Sequence, residues 1–324
     1  MGPLVQRPEE PDRVRDPLRR PRRLVPGALV GVAALSGPAR EEDLLAGVAA
    51  LESYGYRVRL ASNVLSREPL LGLAGDDDAR LAGYLALVED AEVEAILFAR
   101  GGYGVTRLLG RLPPDLIRGT AKLHCGYSDV TALSAFLRER CGLFSIHGPM
   151  VAADLAAPLD PLTAAWFPAL LQARAPRSLE VPSADILVPG RAEGPLVGGC
   201  LSLLAALAGT PWDYDYDGAI LFIEEVGEEA YRVDRMLGTL LSSGRLDRLA
   251  GIMSGSMTRV TFGGVEDPER IRMLLLDRLA PLGVPVAAGL PFGHTAPNVP
   301  LPVGARASWD GRTRMLVFEE EFLS

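Results

Sequence analysis

Through its first half the chain alternates short apolar runs with amphipathic ones, and this rhythm narrows the available folds more than any other feature. Residues 28–34 are an apolar run of strand length. Residues 41–54 carry Leu44, Leu45, Val48 and Leu51 at helical spacing. Residues 56–61 read as the next strand and 78–88 as the next helix. Residues 95–99 and 122–127 read as two more strands, with a glycine loop after the first. Strands joined by helical segments predict a parallel sheet with helices on both faces. In such sheets ligands bind beyond the carboxyl ends of the strands. Gly101-Gly102-Tyr103-Gly104 and Ser128 both fall at such ends.

Residues 151–190 are rich in Pro and Ala without firm periodicity, and a linker is expected there. The pattern restarts at Gly194-Pro195-Leu196-Val197-Gly198-Gly199-Cys200, with a helix through Ala208, a strand over 219–224 and a helix over 230–241 that Gly244 ends. Asp267-Pro268 supplies an N-cap and a first helical position for a helix to about Leu279. Asp310-Gly311, between runs at 306–309 and 315–318, reads as a hairpin turn. Residues 191–324 therefore predict a second domain of mixed α/β type.

Residues 1–25 differ from the rest, with seven Arg, four acidic residues and five Pro. A disordered tail is expected. The run Arg19, Arg20, Arg22, Arg23 before apolar residues imitates an export signal. Pro26 and Gly27 interrupt it, however, and cleavage there would remove the strand at 28–34, so the expected location is the cytoplasm. A net charge of −8 gives no electrostatic case for nucleic acid or an anionic membrane surface. No stretch is long and apolar enough to span a membrane. Cys125, Cys141 and Cys200 match no zinc spacing and are expected to be reduced, buried thiols. Among His124, His147 and His294 there is no His-x-x-x-His pair, so no metal centre is expected.

Three polar groups stand out. Ser128, in Gly126-Tyr127-Ser128-Asp129, lies between an apolar stretch and a helix-like run. A serine on a sharp strand-to-helix turn is how a hydrolase exposes a nucleophile, but Ser-Asp before a helix also makes a plain N-cap. Glu224 ends the apolar strand Ile220-Leu221-Phe222-Ile223, where a carboxylate either caps a helix or serves a site. His294 sits among Gly293, Thr295 and Ala296 in a loop stiffened by Pro291 and Pro297; an isolated histidine of this kind can equally be structural.

Seven segments in order settle these alternatives as a set. They are Arg100-Gly101-Gly102-Tyr103-Gly104, Gly126-Tyr127-Ser128-Asp129, His147-Gly148-Pro149, Leu196-Val197-Gly198-Gly199, Leu221-Phe222-Ile223-Glu224-Glu225-Val226-Gly227-Glu228, Tyr231-Arg232-Val233-Asp234-Arg235-Met236-Leu237 and Gly293-His294-Thr295. Together they resemble the LD-carboxypeptidase family of serine peptidases, from about Ala28 to Val317. That family includes muropeptide LD-carboxypeptidases and microcin-C immunity peptidases. The resemblance implies an α/β protein with an N-terminal parallel-sheet, flavodoxin-like domain over 26–150 and a smaller C-terminal mixed α/β domain over 191–324. It implies a Ser-His-Glu triad: Ser128 as nucleophile, His294 as general base and Glu224 orienting the histidine. Glu225, the next residue along a strand, should face the other way.

Backbone N–H groups of Gly102 and Asp129 are the candidates for an oxyanion hole, and Gly101, Tyr103 and Arg232 are candidate substrate contacts. The alternative for Arg232 is an ion-paired helix face. A structural or supporting role is expected for His147, and a core role for His124. No cofactor is implied, and the family suggests a homodimer. The implied reaction releases terminal D-alanine from cell-wall tetrapeptides. Within the same family, cleavage of aminoacyl-adenylate conjugates is the alternative, and it would need an aromatic platform; Phe262 is the only aromatic between Gly255 and Arg270. A catalytically silent muropeptide-binding protein is the third reading. Two departures from the family pattern are Cys200, where Gly-Gly-Asn is usual, and Leu35, where proline is usual.

Overall fold

The computed structural model describes residues 17–324. The first half runs β1 (Leu29–Ala33), α1 (Glu41–Ser53), β2 (Arg57–Leu60), α2 (Asp77–Glu89), β3 (Val93–Phe98), α3 (Pro114–Thr120), β4 (Leu123–Cys125), α4 (Thr131–Cys141) and β5 (Ser145–His147). The five strands pair in parallel in the order β2-β1-β3-β4-β5, the order of a doubly wound flavodoxin-like sheet. Sequence explains their places. Every residue of Leu29–Ala33 is buried, as an interior strand covered on both faces requires. Arg57–Leu60 alternates charge with apolar residues and takes the edge, where its arginines reach solvent.

The second half runs α5 (Pro161–Leu171), β6 (Ser178–Glu180), β7 (Asp185–Val188), β8 (Arg191–Cys200), α6 (Leu201–Leu207), β9 (Ile220–Val226), α7 (Ala230–Ser242), β10 (Gly251–Thr258), α8 (Pro268–Leu279), β11 (Val286–Ala288), β12 (Leu301–Val303), β13 (Arg306–Asp310) and β14 (Met315–Phe318). Eight of its strands form one mixed sheet in the order β6-β14-β13-β8-β9-β10-β11-β7. β8 to β11 are parallel and the flanking strands antiparallel.

β12 does not join that sheet. It crosses over and pairs antiparallel with β5, extending the first sheet by one strand. The loop between β11 and β12 therefore passes from one sheet to the other, and it carries His294.

Two expectations need correction. Residues 151–190 are not a structureless linker. Asp160 caps α5 by accepting the N–H groups of Leu162 and Thr163, Trp166, Phe167, Leu170 and Leu171 are buried, and β6 and β7 close the two edges of the second sheet. Asp160-Pro161 was a helix-start signal hidden by the Pro and Ala content. Nor is all of 1–25 a disordered tail. Residues 1–16 lie outside the described residues, but Leu18 and Leu24 are buried. Arg19 N–H donates to Gly142 O at 2.7 Å, Leu24 N–H to Leu171 O at 2.8 Å and Arg23 N–H to Ser324 O at 3.0 Å. The two leucines supply the apolar anchor and the arginines stay outside. Among the described residues no helix is long and apolar enough to cross a membrane.

Candidate active site

Ser128 opens the turn between β4 and α4 with φ at 62°, in the left-handed region. A non-glycine residue there carries strain of about 1–3 kcal/mol, kept only where the surroundings fix it. Here Gly101 packs so closely that a Cβ on it would lie 2.7 Å from Ser128 Cβ and 2.8 Å from Oγ. Only a glycine lets the 101–104 loop lie against this serine. Gly102, with φ at 126°, then turns the chain in a conformation that side chains avoid.

Below the loop a buried polar brace holds these pieces. The Asp129 carboxylate accepts Ser36 Oγ–H at 2.6 Å and Val105 N–H at 2.9 Å. Burial nonetheless pushes its pKa above the usual carboxylate value. Arg80, fully buried, donates to Leu35 O and Gly104 O and pairs with Asp77. Together Asp129 and Arg80 tie the Leu35–Gly37 turn to the glycine loop, and Gly37 N–H closes on Gly101 O at 3.3 Å. The brace was absent from the sequence reading. Its signal was there: Arg80 shares a helical face with Tyr84 and Leu87, and a charge on an apolar stripe needs buried partners.

From the other sheet, β9 delivers Glu224, fully buried, and the crossing loop delivers His294. Nδ1 of His294 lies 2.6 Å from Glu224 Oε2. Glu225 points to the opposite face, as expected from strand alternation. It accepts Ser202 N–H at 2.7 Å and Val226 N–H at 2.8 Å and receives Cys200 Sγ–H. Burial, and then the neighbouring Glu224, raises its pKa. The Tyr127 ring meets the His294 ring edge-on at 4.8 Å, and its hydroxyl donates to half-buried Asp154 at 3.1 Å. Thr258 Oγ1 donates to His294 O at 2.7 Å. The imidazole is thus held at its ring nitrogen, its face and its backbone.

Ser128 and His294 line one cavity of about 410 Å³, together with Gly101, Gly102, Tyr127 and Arg259 among others. A second hollow, sharing Ala39 and Arg40 with the first, continues it along α1. Gly101, Gly102, Ser128 and His294 therefore meet in one place, with Glu224 behind His294 and the Asp129 backbone in the first turn after the serine. Tyr103 and Arg232 do not line this cavity. Tyr103 is exposed beyond the loop. Arg232 pairs with Glu228 at 3.6 Å and with Tyr231 OH on an exposed helix face, the alternative weighed from sequence. The arginines that do line the cavity are Arg40, Arg100 and Arg259; Arg100 heads one of the seven segments, but none of the three was named from sequence as a substrate contact.

The remaining histidines are core residues. His124 lies 2.9 Å from Tyr84 OH and from Lys122 O, and burial lowers its pKa to about 4. His147 packs against Tyr127, Phe222 and Phe292 beside the site, and burial likewise brings it to about 4. The three cysteines are free and buried. Cys200, in place of the usual asparagine, gives its backbone N–H to Thr131 Oγ1 at 3.0 Å, so this junction between β8 and α4 is held without a side-chain amide.

Comparison with known proteins agrees with this architecture. Family models match residues 30–148 as an LD-carboxypeptidase N-terminal domain and residues 193–309 as an LD-carboxypeptidase C-terminal domain. A putative carboxypeptidase of Streptomyces coelicolor is 42% identical over 313 residues, covering 94% of this chain and 98% of its own. A probable murein peptide carboxypeptidase of Bacillus subtilis is 36% identical over 302 residues, covering 93% and 94%. The crystal structure of a muramoyltetrapeptide carboxypeptidase from Oxalobacter formigenes superimposes with a TM-score of 0.77 at 31% identity, over 89% of this chain and 97% of that one. Matched in both halves and along nearly its whole length, the chain belongs to the LD-carboxypeptidase family and is a serine-type carboxypeptidase.

Proposed function

We propose that this protein hydrolyses the bond between the L-centre of a diamino acid and the terminal D-alanine of cell-wall tetrapeptides. The observation that carries the reading is Ser128 on a strained turn in one cavity with His294, whose Nδ1 is bonded to a buried carboxylate. Ser128 Oγ attacks the scissile carbonyl carbon while His294 takes its proton. Glu224 fixes the tautomer that leaves Nε2 free to do so and stabilises the imidazolium. Backbone N–H groups of Gly102 and Asp129 receive the oxyanion, each worth roughly 3–4 kcal/mol in the transition state. The C–N bond then breaks, His294 returns the proton to the departing amine, and water cleaves the acyl-enzyme by the same steps.

The substrate assignment is supported by the named relatives and by three arginines in the cleft, which suit a peptide rich in carboxylates. An adenylate conjugate would need an aromatic face, and that of Phe262 is covered by the Arg270 guanidinium at 3.8 Å. The free, buried thiols suit a reducing compartment, in keeping with cytoplasmic recycling of wall fragments. The homodimer rests on family resemblance and is tested by light scattering.

The test of the activity is mass spectrometry of a disaccharide tetrapeptide incubated with the wild type and with Ser128→Gly. Glycine keeps the left-handed backbone without strain, so only the hydroxyl is lost. Release of one alanine by the wild type alone is expected, with unfolding of the variant shifted to higher temperature. An unchanged substrate with the wild type overturns the reading and favours a silent binder; release by the variant overturns the nucleophile.

A further inference from the structure

The three arginines of the cleft differ in what already holds them. Arg40 is paired with Glu42 and Asp43. Arg100 Nη1 donates to Pro38 O at 3.5 Å, next to the glycine loop. The Arg259 guanidinium has no acidic partner among the described residues, although it lines the cavity. Its neighbour Glu266 takes the Arg259 backbone N–H at 3.1 Å instead. Arg259 itself is held at φ 53°, left-handed, a conformation that costs an arginine about 1–2 kcal/mol. Strain kept at the end of a parallel strand, presenting an unpaired cation to a cleft, is the pattern of a ligand contact.

Its position selects the part of the substrate it meets. His294 must reach the departing nitrogen to protonate it. In a C-terminal residue the carboxylate is one carbon beyond that nitrogen, so the cation that reads it must stand on the His294 wall. Arg259 follows Thr258, whose hydroxyl is bonded to the His294 carbonyl. Arg100 stands on the other wall, at the start of the loop that faces the oxyanion. Building on the activity proposed above, we infer that Arg259 binds the terminal carboxylate of the departing residue and thereby confines cleavage to the last bond of the chain.

The experiment compares kcat/KM for a tetrapeptide with a free terminal carboxylate and for its terminal carboxamide, in the wild type, Arg259→Asn and Arg100→Ala. Asparagine tolerates the left-handed backbone, and Arg259→Gly serves as a second variant that relaxes it. The wild type should prefer the acid by roughly 10- to 100-fold, the range of a charge-assisted pair. In both Arg259 variants that ratio should fall towards one, while Arg100→Ala keeps it. A ratio that survives in the Arg259 variants, even with both rates lowered, overturns the assignment, and so does its collapse in Arg100→Ala alone. A wild type that leaves the tetrapeptide intact overturns the activity and the assignment together; one that cleaves it with an unchanged ratio in the variants overturns the assignment only.

Discussion

Adding one methyl group at Gly101 should disable the enzyme while leaving it folded. The new carbon would lie 2.7 Å from Ser128 Cβ and 2.8 Å from Oγ, whereas carbon atoms rest at about 3.5–4.0 Å from one another. One side must therefore retreat by roughly 1 Å. Neither gives easily. Ser128 Cβ is one bond from a backbone fixed at φ 62°, and the loop is tied down through Gly37, Arg80 and Asp129. Gly101 does not occupy a left-handed conformation, so alanine meets no backbone penalty there and the effect is one of space. Overpacking of this kind costs about 1–3 kcal/mol of stability. A 1 Å displacement of a reacting group costs on the order of 100-fold in rate, equivalent to about 2.7 kcal/mol of barrier. Release of alanine from a disaccharide tetrapeptide gives kcat/KM, and thermal unfolding monitored by circular dichroism shows whether the fold persists. A folded Gly101→Ala variant with kcat/KM within about threefold of wild type, less than 1 kcal/mol of barrier, would show that the close approach does not position the serine.

Two further outcomes follow from the paired carboxylates and the buried histidine. Glu224→Gln should lower kcat on the order of 10⁴-fold by losing control of the imidazole tautomer, while Glu225→Gln should lower the unfolding temperature and leave kcat within a few-fold; equal losses of kcat would sink the division of roles. His124 is held neutral by burial, with a pKa of about 4 against about 6.5 in an unfolded chain. As pH falls below about 6.5 the unfolded state takes up this proton first, so the native state loses about 1.4 kcal/mol per pH unit until about pH 4. His124→Gln lacks that loss, and urea titrations from pH 7 to 4 should show the stability gap between wild type and variant narrowing as acid is added; a constant gap would refute the assignment.

The alternation of apolar and amphipathic segments was enough to mark β1 to β4 of the first sheet, because strands covered by helices are largely apolar and parallel neighbours need helical connections. The apolar runs at 28–34, 95–99 and 122–127 read as strands on that ground, and the structure places strands at 29–33, 93–98 and 123–125. The motifs around Ser128, Glu224 and His294 also marked the polar groups that meet, but through their resemblance to the family, since Glu224 lies inside β9 and His294 in the loop between β11 and β12. Periodicity could not reveal α5, whose start is marked by a single Asp-Pro pair, or the seating of Leu18 and Leu24, because two leucines among arginines have no period. The transfer of β12 from the second half into the first sheet is a long-range choice that no local pattern encodes. Yet that crossing brings the His294 loop to Ser128. Arg259 and Arg80 show the same division in side chains. Each is one arginine among many until the fold gives Arg80 buried carbonyls and leaves Arg259 facing the cleft with no acidic partner among the described residues, because the partners of a charge are set by which strands become neighbours.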